Sequence, residues 1–149
     1  MKELSLVEGG AWFEVFGGPR SIQRLDWTRQ GAIRSIVRGD AGGENAEVLI
    51  RRADHLIRAH GRITLLHDFW ELTSFGSAFR VELVRWGQTN PNRFDAVRIL
   101  TRSKIVNMGV AVMNQALGGI VTTYGMRAEF DIVAKKLGFP LFPAMPALG

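Results

Sequence analysis

A chain of 149 residues that is 46% hydrophobic and 22% charged can bury a core of its own, and its lack of cysteine excludes a disulfide framework, thiolate metal sites and a cysteine nucleophile. The net charge is +5, but the cations are dispersed, and Arg51, Arg58 and Lys135 each stand four residues after a carboxylate (Glu47, Asp54, Asp131), so solvated helix faces are expected and nucleic acid is not an expected partner. No stretch nears the roughly 20 apolar residues of a membrane span, and Met1 to Ser5 has no apolar run after its charge, so neither a span nor a secretory leader is expected and the cytoplasm is the expected location.

The first forty residues are β-rich. Ala11 to Phe16 and Ala32 to Arg38 are candidate strands, with a third candidate from Ile22 to Trp27 and turns at Gly17-Gly18-Pro19 and Gly31. Antiparallel edge strands are expected here. Ala46, Leu49, Ile50, Ala53 and Ile57 then recur at helical spacing, which predicts an amphipathic helix over about 44 to 59 stopped by Gly61. Arg62 to His67 reads as a buried strand ending at Asp68. Phe75, Phe79, Leu83 and Trp86 mark a second helix closed by Gly87 and Asn90-Pro91.

Asp95 to Thr101 is the next strand, and Ser103 is placed to cap a helix over about 104 to 117. Gly118-Gly119 ends that helix before a strand from Ile120 to Tyr124. A last helix, carrying Phe130, Val133, Ala134 and Leu137, stops at Gly138. Short connections between alternating helices and strands require right-handed crossovers and a largely parallel sheet covered by helices.

This order of elements, with a strand ending at Arg38-Gly39, a helix after Gly43, and Thr122-Thr123-Tyr124-Gly125-Met126-Arg127-Ala128-Glu129-Phe130 as closing strand and helix, resembles the STAS domain and its SpoIIAA-like relatives of the anti-sigma-factor-antagonist type over roughly 32 to 138. The resemblance implies an α/β fold with a STAS-like mixed sheet of about five strands covered by four helices. It implies a single domain over 1–149, with a β-rich segment at 1–40 and a Pro-rich apolar tail at 139–149.

The function it implies is a non-catalytic regulatory or protein-interaction module, with a protein partner or a homodimer and no cofactor. The family's functional locus lies after the strand equivalent to 62–67, where a phosphorylatable serine or threonine starts the next helix. Asp68, Thr73, Ser74 and Ser77 are therefore the candidate phospho-acceptor or ligand loop. Thr73 stands where the family usually has an aspartate before its serine, and Thr73 or Ser74 also reads as a plain N-cap.

Two other readings stay open. Trp70, Phe75, Phe79 and Trp86 are candidates to line a pocket for a small hydrophobic or lipid-like ligand, against a core role for the same rings. His67 with Asp68 and Glu71 at a strand end is the candidate centre of a hydrolytic or transfer enzyme, although no recognised catalytic motif accompanies it. His55 and His60 lie five apart on one helix, a spacing that suits no shared metal. In the helix from 104, Val106, Val110, Met113 and Leu117 form an apolar stripe that is a candidate partner surface or a second buried face. The tail is too apolar to float free and is expected to pack along its own domain or, alternatively, on a neighbour.

Overall fold

The computed structural model describes residues 3–116 and 118–146, without the side chains at 105, 106, 112, 113 and 116. One mixed sheet organises the chain, with strands β1 (Ser5–Gly9), β2 (Phe13–Gly17), β3 (Ser21–Trp27), β4 (Ala32–Ala41), β5 (Ile63–Asp68), β6 (Leu72–Phe75), β7 (Phe94–Leu100) and β8 (Val121–Tyr124). Four helices alternate with its second half: α1 (Gly43–His60), α2 (Ser77–Thr89), α3 (Lys104–Ala116) and α4 (Arg127–Lys136).

The strands run in the order β1-β2-β3-β4-β5-β7-β8. The pairings from β1 to β4 are antiparallel and those from β4 through β5 and β7 to β8 are parallel. The class and the four helices match the expectation, but the sheet has eight strands rather than about five. Beyond the six candidate strands read along the sequence, the two additional ones are β1, which carries no alternating apolar signal and is exposed at all five positions, and β6.

β6 exists because β4 is long. At ten residues β4 outreaches β5, which pairs with it only from Ala32 to Ile36. The chain turns over Phe69 to Glu71 and pairs with β4 again at Gly39 to Ala41. Gly39 makes this possible: its φ is 96°, and a Cβ there would lie 2.4 Å from the Arg20 carbonyl oxygen, so a glycine read as a strand stop is a close-approach point inside the strand.

Alternation along the strands assigns the two faces. On one face Leu25, Ile33, Val37, Leu65, Val97 and Ile99 meet α1, α2 and α3 in the main core. On the other, Ala32, Leu66 and Leu100 meet Phe130 and Ala134 of α4 and Phe139 of the tail. The stop at Gly61 holds, its N–H donating to the Ile57 carbonyl at 2.7 Å. Gly87 closes nothing: α2 runs past it to Thr89, and the N–H of Asn90 returns to the Gly87 carbonyl. Two expected helical ion pairs are replaced, since Asp54 accepts a hydrogen bond from Trp86 and Asp131 pairs with Arg127.

Candidate functional site

The carboxyl ends of β4 and β6 and the starts of α1 and α2 meet at one corner. Ser74 on β6 lies opposite Asp40 on β4 in the parallel register, and its Oγ donates to Asp40 Oδ1 over 2.7 Å. Gly42 and Gly76 are the N-caps of α1 and α2. The two helix starts are close, because a Cβ on Gly43 would touch the Ala78 methyl at 3.5 Å. The corner encloses a cavity of about 350 Å³ bounded by Arg20, Asp40, Gly42, Glu44, Ser74 and Gly76.

Its floor is a buried polar network. Asn45 Nδ2 donates to Ser21 Oγ and to Gln23 Oε1, both at 3.1 Å, while Asn45 Oδ1 accepts from the Gly42 N–H at 2.8 Å. Gln23 Nε2 in turn donates to Ser35 Oγ and to the Asn45 carbonyl. On one wall the Glu44 carboxylate accepts from the N–H groups of Glu3 at 2.6 Å and Leu4 at 2.9 Å, which fastens the N-terminal segment to α1. Among the described residues each buried polar side chain of this network has a partner.

The residues singled out in the sequence separate in space. Ser74 enters this corner. Thr73 is exposed beside it on β6, and Ser77 is the exposed first residue of α2. Neither Thr73 nor Ser74 is an N-cap: both are strand residues, and Gly76 takes the cap position. Asp68 belongs elsewhere, on the opposite face of the sheet, where Arg127 Nη2 reaches its two oxygens at 2.8 and 2.9 Å.

His67 and Asp68 are adjacent in β5 and so point to opposite faces, which keeps them from acting as a base with its orienting carboxylate. His67 is 2% exposed, stacks on Phe69 at 4.9 Å between centroids, and its Nδ1 has no hydrogen-bond partner. Burial lowers its pKa from 6.5 to about 4, so the ring is neutral at pH 7. Glu71 pairs with Arg38.

Phe79 and Trp86 are core residues, and Trp86 Nε1 donates to Asp54 at 2.8 Å. Phe75 packs under α3 so closely that a Cβ on Gly109 would fall 2.1 Å from its ring. The space beside Trp86 and His67 is a cavity of about 20 Å³. That admits about one water, not a lipid-like ligand. Trp70 lies on the other side of the sheet, beneath Arg102 and Arg127.

Of the expected partner surface, Val110 is buried in the main core instead, because α3 turns it toward the sheet. The side chains of Val106 and Met113, and the whole of Leu117, lie outside the described residues.

Asp40, Glu44 and Asn45 are the site residues that the sequence reading missed. The available signal was the alternation of Ile33, Ser35 and Val37, which continues past Gly39 to Ala41. Among the described residues no helix is long and apolar enough to cross a membrane.

Comparison with known proteins agrees with this architecture. No protein-family model matches the sequence, and no curated protein does. Among solved structures, the chain is similar to an uncharacterised protein with a SpoIIAA-like fold from Shewanella loihica PV-4, at a TM-score of 0.57 and 14% identity over 76% of this chain and 93% of that one. It is also similar to an anti-sigma factor antagonist from Mycobacterium paratuberculosis, at a TM-score of 0.54 and 10% identity over 80% of this chain and 98% of that one. The fold is therefore that of a STAS-like, SpoIIAA-like α/β domain.

Proposed function

We propose that the chain is a single-domain, non-catalytic regulatory module of STAS type that engages a protein partner through the corner of Asp40, Ser74 and Ser77. Ser74 serves as its phospho-acceptor. The observation that carries this reading is the Ser74–Asp40 hydrogen bond: an exposed hydroxyl, held by a carboxylate, at the entrance of two helices. Helix N-termini favour added negative charge, whereas Asp40 would repel it, so a phosphate on Ser74 must break the hydrogen bond and turn toward the starts of α1 and α2. The corner then presents a different surface to a partner. Similarity in fold to an anti-sigma factor antagonist supports a protein rather than a small molecule as that partner.

The test is an intact-mass measurement on the chain isolated from its own host, followed by fragmentation. A phosphate on Ser74 is expected, together with a co-purifying protein that is lost in Ser74→Glu and kept in Ser74→Ala. A chain unmodified under all growth conditions, or modified only at a distant residue, overturns the phosphoswitch. Loss of the partner in neither variant moves the interface away from this corner.

A further inference from the structure

Glu3 and Leu4, just before β1, line the cavity at the Ser74 corner. They belong to no strand or helix, yet three contacts hold them. The Glu44 carboxylate accepts from both of their N–H groups. Leu4 is 8% exposed and joins the main core. Gly18, between β2 and β3, leaves the notch they fill: a Cβ there would stand 2.5 Å from the Glu3 carbonyl oxygen and 3.2 Å from Leu4 Cδ2. The φ of Gly18 lies outside the left-handed region, so it is the close approach, not the backbone conformation, that calls for glycine.

The charges around the cavity are unevenly matched. Glu3, Asp40 and Glu44 line it, and Arg20 is the one cation on its walls among the described residues. A phosphate on Ser74 would add about two further negative charges. Asp40 cannot withdraw from it, because β4 fixes its backbone opposite Ser74 and its N–H donates to the Arg20 carbonyl at 2.9 Å. Glu44 can. It is the second residue of α1, and its carboxylate stands at the helix start toward which the phosphate must turn. Two anions then compete for one helix end, and the one that can leave is the carboxylate holding Glu3 and Leu4.

We propose that residues 3–4 are a latch that a phosphate on Ser74 releases. The phosphate displaces the Glu44 carboxylate, the N–H groups of Glu3 and Leu4 lose their acceptor, and Leu4 leaves its seat in the core. β1 resists little, since all five of its residues are exposed and its register with β2 shifts between Leu6 and Glu8. The opened corner offers a protein partner an apolar seat beside the phosphate. This proposal rests on the Ser74 reading for its phosphate and adds the element that moves.

The test is amide hydrogen exchange, read by NMR, on the full-length chain with phosphoserine installed at position 74 during translation. Exchange at Leu4 is expected to rise about tenfold or more, the scale set by losing a hydrogen bond to a charged group, while Leu65 and Leu66 in β5 keep their protection. Ser74→Glu is expected to move Leu4 in the same direction by less. Gly18→Ala, with serine at 74, is expected to free Leu4 without any phosphate, because the new methyl fills the notch. In Glu44→Gln the neutral amide is not repelled, and the installed phosphate is expected to leave Leu4 exchange unchanged. Leu4 protection that ignores the phosphate overturns the latch, as does protection kept in Gly18→Ala. An equal rise with Gln at position 44 overturns it too, since release would then bypass Glu44. Because the phosphate is installed, the result does not depend on whether the host modifies Ser74, and the two readings fail separately.

Discussion

Arg127 on α4 holds Asp68 at the end of β5 by a single nitrogen that reaches both carboxylate oxygens, at 2.8 and 2.9 Å. The pair links the helix that covers one face of the sheet to a central strand. Asp68 is almost fully buried, whereas Arg127 is partly exposed and keeps Asp131 as a second partner. Asp68→Asn is expected to cost about 1–3 kcal/mol, because the guanidinium loses its buried charge partner. Denaturant titration checks this value. A change below measurement error would show that α4 is held by Phe130 and Ala134 alone.

Asn45 sits at the centre of the polar network beneath the corner. Replacing it with alanine leaves the Gly42 N–H, Ser21 and Gln23 each short of a partner in a buried setting. The expected loss is about 2–4 kcal/mol, with earlier hydrogen exchange in the first turn of α1. Unchanged exchange there would mean that water replaces the amide without penalty.

His67 makes stability depend on pH. Its folded pKa of about 4 lies below the unfolded value of 6.5, so the unfolded chain binds a proton first as the solution is acidified. Stability owed to the neutral ring is fully present above pH 6.5 and is lost as the pH falls toward 4, by up to about 1.4 kcal/mol per pH unit. His67→Leu is expected to flatten the stability profile between pH 6.5 and 4. It is also expected to be no less stable at pH 7, since it removes the unpartnered Nδ1. A profile as steep in the variant as in the parent chain would assign the dependence to other groups.

Gly39→Ala tests the close approach that lets β4 run on to Asp40. The new methyl would meet the Arg20 carbonyl at 2.4 Å on a backbone with φ of 96°, and a loss of at least about 1–3 kcal/mol is expected from the conformation alone. The midpoint of thermal unfolding reads it. Gly61→Ala is the comparison, since its φ is also positive at 80° but a Cβ there meets nothing; equal losses at the two sites would attribute the whole effect to conformation and none to contact.

Apart from β6, the elements from α1 onward were legible because their signals are local. Ala46, Leu49 and Ala53 are spaced for one helix face, Ile63 to Asp68 is a short apolar run, and glycines stop α1 and α4. These patterns arise from side chains alternating at fixed periods, so a sequence displays them directly. The STAS-like class followed from the order of those elements.

What the sequence could not display is what long-range pairing creates. β6 forms only because β4 has residues to spare beyond β5, and that pairing turns Thr73 and Ser74 from expected caps into strand residues. Asp40 becomes the neighbour of Ser74 across 34 positions of chain. The faces of β5 send His67 and Asp68 apart, although adjacency in sequence suggested a pair. The sequence by itself determined the periodic elements and their order; only the tertiary structure decided which side chains meet, because meeting depends on sheet register and on the face each residue is given, and neither is a local property.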